Sequence, residues 1–374
     1  MQLMVCSSIF QLYTALAIKQ QFLNDEKVDL LLTDSTSMFK ELATNTGLLK
    51  RFNKVMYVPD GRKRSHFNRI VRSKYYRKVF DVFPRHYLNK IVKQKWDNYT
   101  DIYFSSFNIF TLRLQAYLSN KNKKLKTHLF EDGISTYLIR SKYEWAISEK
   151  TRKILKIENF EDRFCDVYLF EPDLMCFDYG FPTVRISNPI EIPGIVEAFD
   201  DILKKDNSEI GEKFIFFEES FNNDGLVSND TELIGVLWNF LDKKDFILKH
   251  HPRNRKDRFK DVLPTVDFPM FWEHYFLGHN IEDKVIVTVS SNTAFVPYVI
   301  ARLKPTIVLL YKLFNGTSPI FDSGNFEKYV EKYLGYTEAK VYIPETVDEF
   351  QEIIEKLRRN DDESSCISTN KNEQ

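Results

Sequence analysis

Residues 1–33 read MQLMVCSSIFQLYTALAIKQQFLNDEKVDLLLT, and this stretch decides the fold class. The short apolar run Gln2–Cys6 predicts a strand, and the amphipathic stretch after it predicts a helix from Gln11 to Phe22. A second apolar run, Val28–Thr33, predicts another strand. Short apolar runs and longer amphipathic stretches continue to alternate along the chain. This alternation is typical of parallel sheets covered by helices, so the predicted class is α/β.

Eight further apolar runs extend the alternation over two successive halves of the chain. The predicted strands are 54–58, 101–105, 125–130 and 166–170 in the first half, and 213–217, 245–249, 284–287 and 306–310 in the second. Between the halves, residues 188–194 contain two prolines and a glycine that interrupt the pattern. We therefore expect two Rossmann-like domains, 1–190 and 191–359, with parallel sheets facing a central cleft, and a disordered tail at 360–374.

The charges of the chain balance overall but cluster locally. Fifty-three Lys and Arg residues oppose 53 Asp and Glu residues, which argues against a general nucleic-acid binder. The segment 50–95, however, holds fifteen basic and two acidic residues, interleaved with aromatic ones. This basic segment suits a solvated helix face, or attraction to an anionic membrane or an acidic glycan. Nucleic acid is the weakest alternative, because no recognition motif accompanies the charge.

Cysteine usage and hydropathy predict a cytoplasmic protein. Cys6, Cys165, Cys176 and Cys366 form no C-x-x-C pair, which fits free thiols in a reducing compartment. The N-terminus has no basic leader and no window reaches about 18 apolar residues, so neither a signal peptide nor a spanning helix is expected. Peripheral contact with the inner face of the membrane, through residues 50–95, is the added expectation.

Common cofactor motifs are missing from the sequence. Neither G-x-G-x-x-G nor G-x-x-x-x-G-K-[ST] occurs, so the usual dinucleotide and P-loop cradles are not expected. No D-x-D pair offers a carboxylate clamp for a metal-bound nucleotide sugar. G-x-S-x-G and H-E-x-x-H are also absent. These absences favour a mechanism without a metal or a resident cofactor.

The first motif that could carry chemistry is Glu131-Asp132-Gly133, directly after a predicted strand. Ligands of open α/β sheets bind at the carboxyl ends of the strands. Two adjacent carboxyl groups repel each other, which can raise the proton affinity of one toward that of a general base. The alternative is an acidic turn in which Gly133 supplies a positive φ.

The second motif is Lys249-His250-His251-Pro252, which also follows an apolar run. Pro252 excludes helix at His251 and so keeps the imidazole at the strand end. A histidine placed there, with Lys249 beside it, can donate a proton or a hydrogen bond to a phosphate leaving group. A basic surface turn is the alternative.

The third motif is Ser290-Ser291-Asn292, where an apolar run gives way to a predicted helix. Hydroxyl groups and backbone N–H groups at a helix N-terminus bind anions, so the two serines could hold a phosphate. Ordinary N-capping is the alternative. Because all three motifs stand at strand ends, and the first lies in a different half from the others, the sequence suggests transfer of a group from a nucleotide donor.

At these residues the sequence resembles bacterial sialyltransferases, most closely glycosyltransferase family 52, with the capsule polysialyltransferases close behind. The family pattern is a carboxylate pair with Gly, an HP motif and a late Ser pair, matched here by Glu131-Asp132-Gly133, His251-Pro252 and Ser290-Ser291. The opening 4–12 also looks like the first strand and loop of the family, which adds Ser7 and Gln11 as substrate-binding candidates. Glu273 resembles an acid that binds the donor ribose.

The resemblance implies a GT-B fold and an inverting, metal-independent transfer of sialic acid from CMP-sialic acid to a cell-surface glycan, lipooligosaccharide or capsule. The first domain would approach the acceptor and the second would hold the donor. A carboxylate takes the proton of the acceptor hydroxyl, while His251 assists the departing phosphate and Ser290 and Ser291 bind it. The base is Asp132 or Glu131, or else Glu218 or Glu219 in the FIFFEES stretch of the second domain.

Two other functions remain open on the sequence alone. One is a transferase of the same fold that uses another nucleotide sugar, such as UDP-glucose. The other is a non-catalytic glycan-binding or membrane-binding protein on the same scaffold. The acceptor is expected to end in galactose or sialic acid, and a homodimer is a further expectation drawn from the resemblance.

Overall fold

The computed structural model describes most of the chain as two compact units, Met1–Lys205 and Asp206–Gln374. The described residues are 1–33, 36, 38–58, 96, 98–105, 109–139, 164–203, 209–221, 228–241, 244–251, 254, 259, 265–266, 271–316, 318, 320–321 and 324–369. Of the basic segment, only 50–58 falls within these residues, so the predictions made for 59–95 lie outside them.

The first unit contains a sheet of seven parallel strands in the order β3-β2-β1-β4-β5-β6-β7. The strands are β1 Gln2–Cys6, β2 Val28–Thr33, β3 Lys54–Val58, β4 Asp101–Phe104, β5 Lys126–Phe130, β6 Phe164–Leu169 and β7 Thr183–Arg185. The helices are Ile9–Phe22, Phe39–Leu42, Thr46–Arg51, Ile109–Lys121, Ser135–Leu138 and Ile195–Leu203, with 3-10 turns at Pro172–Leu174 and Pro189–Glu191. Every residue of β2 is buried, as expected for a strand with helices on both faces.

The second unit contains six parallel strands in the order β10-β9-β8-β11-β12-β13. They are β8 Phe214–Phe217, β9 Phe246–Lys249, β10 Thr265–Val266, β11 Val285–Thr288, β12 Thr306–Leu309 and β13 Val341–Tyr342. The helices are Asp230–Phe240, Trp272–Gly278, Val296–Ala301, Asn325–Thr337 and Val347–Thr369, with a 3-10 turn at Asn292–Ala294. When β8 is counted as the first strand, this order becomes 3-2-1-4-5-6, which is the strand order of a Rossmann sheet. The sheet of the first unit has the same order, with β7 added at one edge.

The strand order of each sheet reverses beside its first strand. The reversal lies between β1 and β4 in the first sheet and between β8 and β11 in the second. Ligands of Rossmann-like sheets bind outside the carboxyl ends of the strands at such a point. Of the strands that candidate residues follow, β1, β8 and β11 border these points, and β5 and β9 lie one strand further out.

The division between the units corrects the predicted junction at 190/191. Helix Ile195–Leu203 belongs to the first unit, because its apolar face packs there: the Phe199 ring lies 4.2 Å from that of Tyr13. The Asn45 side chain donates a hydrogen bond to the Ile202 carbonyl oxygen (3.1 Å), and Arg51 pairs with Asp201 at 2.9 Å. The Pro-Gly pair before this helix makes a turn within the unit instead of a linker.

Helix Val347–Thr369 extends into the tail for which the sequence predicts disorder. Its buried residues Phe350, Ile354 and Leu357 anchor its first turns in the core of the second unit. Neither Pro nor Gly occurs in 347–369, so nothing in the sequence stops the helix there. Among the described residues, no helix combines the length and the apolar character needed to cross a membrane.

Candidate functional site

The loop after β1 fixes Ser7 and Gln11 inside the first unit. Ser8 is the N-cap of helix Ile9–Phe22, and its hydroxyl accepts a hydrogen bond from the Gln11 backbone N–H (3.1 Å). In return the Gln11 Oε1 atom accepts from the Ser7 backbone N–H (2.6 Å), an arrangement close to a capping box. Both Ser7 and Gln11 are buried, and the Thr33 hydroxyl donates to the Ser7 Oγ atom at 3.0 Å. The two predicted binding residues thus shape the turn that presents Ser8.

Glu131, at the end of β5, is buried and held by two donors. The Tyr137 hydroxyl donates to its Oε2 atom at 2.5 Å, and the Phe170 backbone N–H donates to the same atom at 2.9 Å. Burial raises the pKa of Glu131 to about 8, with smaller contributions from the charges of Glu171 and Asp132. Near neutral pH this carboxyl group is therefore mostly protonated, which makes it a poor proton acceptor.

Asp132 is the member of the pair that reaches solvent. Its side chain is partly exposed, and its Oδ1 atom lies 3.5 Å from the Ser8 hydroxyl, which links the loops after β1 and β5. The Asp132 backbone N–H donates to the Thr136 hydroxyl at 2.9 Å. Gly133 has a φ of 83°, as the alternative interpretation of this motif as an acidic turn requires, and such a φ favours a residue without a Cβ atom.

In the second unit, Glu218 follows β8 and binds the histidine turn after β9. Its Oε2 atom lies 3.0 Å from His250 Nδ1 and accepts a hydrogen bond from the His251 backbone N–H at 3.1 Å. The Glu218 side chain is fully buried, whereas His250 and His251 are partly exposed. Pro252, the next residue of the predicted motif, lies outside the described residues.

Glu219 binds the serine turn on the other side of β8. Its Oε1 atom accepts hydrogen bonds from the Ser290 backbone N–H (2.8 Å), the Ser290 hydroxyl (3.3 Å) and the Thr288 hydroxyl (3.3 Å). Burial raises the pKa of Glu219 to about 7, although these hydrogen bonds oppose the shift. Ser290, one of the two serines predicted to hold a phosphate, thus directs its donors toward a carboxyl group of the same unit.

Ser291 and Asn292 begin the segment after the serine turn. Ser291 is the N-cap of a 3-10 turn, and its hydroxyl accepts a long hydrogen bond, 3.4 Å, from the Thr293 backbone N–H. Ser291 and Asn292 are partly exposed, while Ser290 is buried. The predicted helix from Asn292 is in fact this turn followed by helix Val296–Ala301, because Pro297 restarts the helix at its N-terminal position.

Lys249 and Glu273 lie on neighbouring elements of the second unit. Lys249 is the last residue of β9, and Glu273 is in the first turn of helix Trp272–Gly278. Burial raises the pKa of Glu273 despite the opposing effect of the Lys249 charge, so the two side chains interact electrostatically. Trp272, beside Glu273, donates its indole N–H to the Thr293 carbonyl oxygen (2.9 Å) and so ties this helix to the serine turn.

The structure adds Ser8, Tyr137, His250 and Thr288 to the residues singled out from the sequence. His250 was named there only as part of the basic turn. The signal available for Ser8 was the S-x-x-Q spacing of a capping box. The other contacts join distant segments, which the sequence alone does not pair. Among the described residues, no three His, Cys, Asp or Glu side chains group as metal ligands.

The fold, two α/β units that each contain a parallel Rossmann-like sheet, is of the GT-B type found in glycosyltransferases. Among solved structures, a protein of Listeria monocytogenes assigned as a UDP-N-acetylglucosamine 2-epimerase matches with a TM-score of 0.53 and 8% identity. The match covers 96% of this chain and 88% of that one, and it supports the fold alone. An alpha/beta-galactoside alpha-2,3-sialyltransferase from Photobacterium phosphoreum matches at a TM-score of 0.48 and 10% identity, covering 91% of this chain and 98% of that one. A TM-score of 0.48 supports no conclusion by itself.

The family follows from the sequence match. The pattern of the alpha-2,8-polysialyltransferase (POLYST) family matches residues 2–293, and the chain belongs to this family. No curated protein matches the chain in sequence. The resemblance to bacterial sialyltransferases is thereby confirmed, through the polysialyltransferases that the sequence analysis placed beside family 52. The protein is a glycosyltransferase of the sialyltransferase kind.

Proposed function

We propose that the protein transfers sialic acid from CMP-sialic acid to a hydroxyl group of a cell-surface glycan, with inversion at the anomeric carbon. Membership of the alpha-2,8-polysialyltransferase family over residues 2–293 carries the proposal. The name of that family supports an acceptor that itself ends in sialic acid. That this acceptor belongs to a capsule or a lipooligosaccharide is a proposal drawn from the resemblance to bacterial sialyltransferases.

Asp132 is the base of the proposed reaction. It lies after the carboxyl end of a parallel strand, is partly exposed, and has the protonated carboxyl group of Glu131 behind it. As the acceptor oxygen bonds to the anomeric carbon, its proton passes to Asp132, and the bond from that carbon to the CMP phosphate breaks. The electron pair of the broken bond leaves with CMP, through an oxocarbenium-like state.

Donor binding falls to the second unit in this proposal. His251 donates a proton or a hydrogen bond to the departing phosphate, and Ser291 and Asn292 contact it with their exposed polar groups. Glu273, whose pKa is raised by burial and which interacts electrostatically with Lys249, is the proposed ligand of the donor ribose. The absence of a D-x-D pair supports charge stabilisation by these protein groups instead of a metal ion.

The proposed location follows from the substrate. A nucleotide-sugar donor is made in the cytoplasm, so we place the protein there, with residues 50–95 attracting it to the anionic membrane surface on which a growing glycan is anchored. A homodimer remains a proposal drawn from the family resemblance.

Release of CMP tests the proposal most simply. The full-length chain is incubated with CMP-sialic acid and EDTA, with lactose or a sialylated oligosaccharide as acceptor, and with UDP-glucose as the matched alternative donor. We expect CMP release with a sialylated product, undiminished by EDTA and faster with the sialylated acceptor. If only UDP-glucose is turned over, the donor is UDP-glucose and not CMP-sialic acid. If neither donor is turned over, the result supports a non-catalytic binding protein.

A further inference from the structure

Two adjacent glutamates, Glu218 and Glu219, follow the strand that stands in the middle of the second sheet. In the order β10-β9-β8-β11-β12-β13, strand β8 has β9 on one side and β11 on the other. Glu218 binds the histidine turn that follows β9, and Glu219 binds the serine turn that follows β11. The pair therefore joins the two turns to which the proposed function assigns the departing phosphate.

Glu218 binds its turn with both backbone and side chain. The Glu218 backbone N–H donates to the Lys249 carbonyl oxygen (3.0 Å), which continues the ladder between β8 and β9 by one hydrogen bond. Beyond the ladder, the carboxyl group accepts from the His251 backbone N–H and, when Nδ1 is protonated, from His250. Because Glu218 has no exposed side-chain surface, it does not reach substrate itself.

Glu219 occupies the serine turn as a bound anion would. A single oxygen, Oε1, receives one backbone N–H and two hydroxyl groups. The backbone carbonyl oxygen of Glu219 meanwhile accepts from the Asn254 side chain (2.8 Å), just beyond the histidine turn. A general base needs an oxygen aimed at the acceptor hydroxyl, whereas this oxygen is already directed at Ser290 and Thr288.

We infer that Glu218 and Glu219 are positioning residues, which hold the histidine turn and the serine turn in register for the donor, and that Glu219 is not the base. The inference rests on the proposed function for its catalytic consequence. The hydrogen bonds from the backbone N–H groups of His251 and Ser290 to the two carboxyl oxygens do not depend on the proposed function.

Glutamine and alanine separate positioning from proton transfer. The glutamine carbonyl oxygen accepts the same hydrogen bonds as the carboxyl group but cannot take up a proton. Alanine removes the acceptor altogether. A positioning residue therefore tolerates glutamine and not alanine, whereas a general base tolerates neither.

The turnover arm compares Glu218→Gln, Glu218→Ala, Glu219→Gln and Glu219→Ala in the full chain, using CMP release from CMP-sialic acid. Exposed Glu352 on helix Val347–Thr369 supplies the matched controls, Glu352→Gln and Glu352→Ala. Misplacement of a catalytic group by about 1 Å can cost about 100-fold. We expect Glu218→Ala to lower kcat about 10-fold to 100-fold, Glu219→Ala to raise the donor KM about 10-fold, and each Gln variant to recover most of the loss. Equal inactivity of Glu219→Gln and Glu219→Ala would overturn the inference.

Amide hydrogen exchange tests the geometry without turnover. In the same full-length variants, the N–H groups of His251 and Ser290 are followed by mass spectrometry of peptides or by selective ¹⁵N labelling. We expect Glu218→Ala to speed exchange at His251 and Glu219→Ala to speed it at Ser290, about 10-fold or more for a lost hydrogen bond of about 1.4 kcal/mol, with Gln restoring protection. Unchanged exchange in the Ala variants refutes positioning. A wild-type protein inactive toward CMP-sialic acid refutes only the proposed function.

Discussion

Replacing Glu131 with Gln should make the stability of the first unit less dependent on pH. The folded state raises the pKa of this buried carboxyl group from 4.5 to about 8. Its favourable contribution is fully present below the unfolded pKa and is lost as pH rises through the folded value, because the folded state binds the extra proton. The glutamine side chain in Glu131→Gln would accept from Tyr137 and Phe170 in the same way but carries no charge at any pH.

The size of this effect follows from the two pKa values. Between pH 5 and pH 7, the stability of the wild type should fall relative to Glu131→Gln by about 2.5 kcal/mol, since each pKa unit is worth about 1.4 kcal/mol. For a unit of about 200 residues, this corresponds to a relative shift in Tm of about 5–10 °C.

Calorimetric unfolding near both pH values measures the difference, with Glu26→Gln as a control at an exposed position of the same unit. Other titrating groups cancel in the comparison, because they are common to both proteins. A difference between the wild type and Glu131→Gln that stays constant over this pH range would refute the reasoning, since Glu131 would then titrate alike in the folded and unfolded states.

Two further substitutions test the turn around Asp132 and the edge strand β7 by thermal unfolding. Gly133→Ala should lower the free energy of unfolding by about 1–2 kcal/mol, because φ is 83° at this position. Gly211→Ala is the control, since Gly211 has no positive φ and open space around it, and it should change the free energy of unfolding little. Equal losses in the two variants would contradict the role of the turn. Arg185→Met should lower the free energy of unfolding by about 1–2 kcal/mol, because it removes the 2.8 Å ion pair between Arg185, which is 44% exposed, and the buried Glu171 carboxylate. An unchanged Tm would show that Glu171 needs no counter-charge.

Much of the fold could be predicted from the sequence. All ten apolar runs that were predicted to be strands correspond to strands, and β1, β2 and β3 have the predicted bounds. The edge strands β7, β10 and β13 were missed, because two or three residues are too few to show a period. The junction was misplaced because Pro193 and Gly194 are typical of a linker, whereas Phe199 and Ile202 decide where the next helix packs.

The sequence predicted which strand ends the candidate residues follow, but not the hydrogen bonds between those residues. Asp132, His251 and Ser290 do follow parallel strands, because strand ends can be read from apolar runs. The partners could not be read, since the bond from Glu218 to His251 and that from Glu219 to Ser290 depend on which strands are neighbours. Burial separates Glu131 from Asp132, whereas hydrogen bonds decide the role proposed for Glu218 and Glu219, and both are properties of the folded unit.

The kcat of sialyl transfer in Asp132→Asn tests the central claim most directly. Sialylated product is measured by mass spectrometry from CMP-sialic acid and a sialylated oligosaccharide, with Asp25→Asn as a control at an exposed loop of the same unit. The account predicts a loss in kcat of about 100-fold to 10,000-fold for Asp132→Asn, the usual contribution of a general base, and wild-type kcat for Asp25→Asn. Wild-type kcat in a folded Asp132→Asn protein would contradict it.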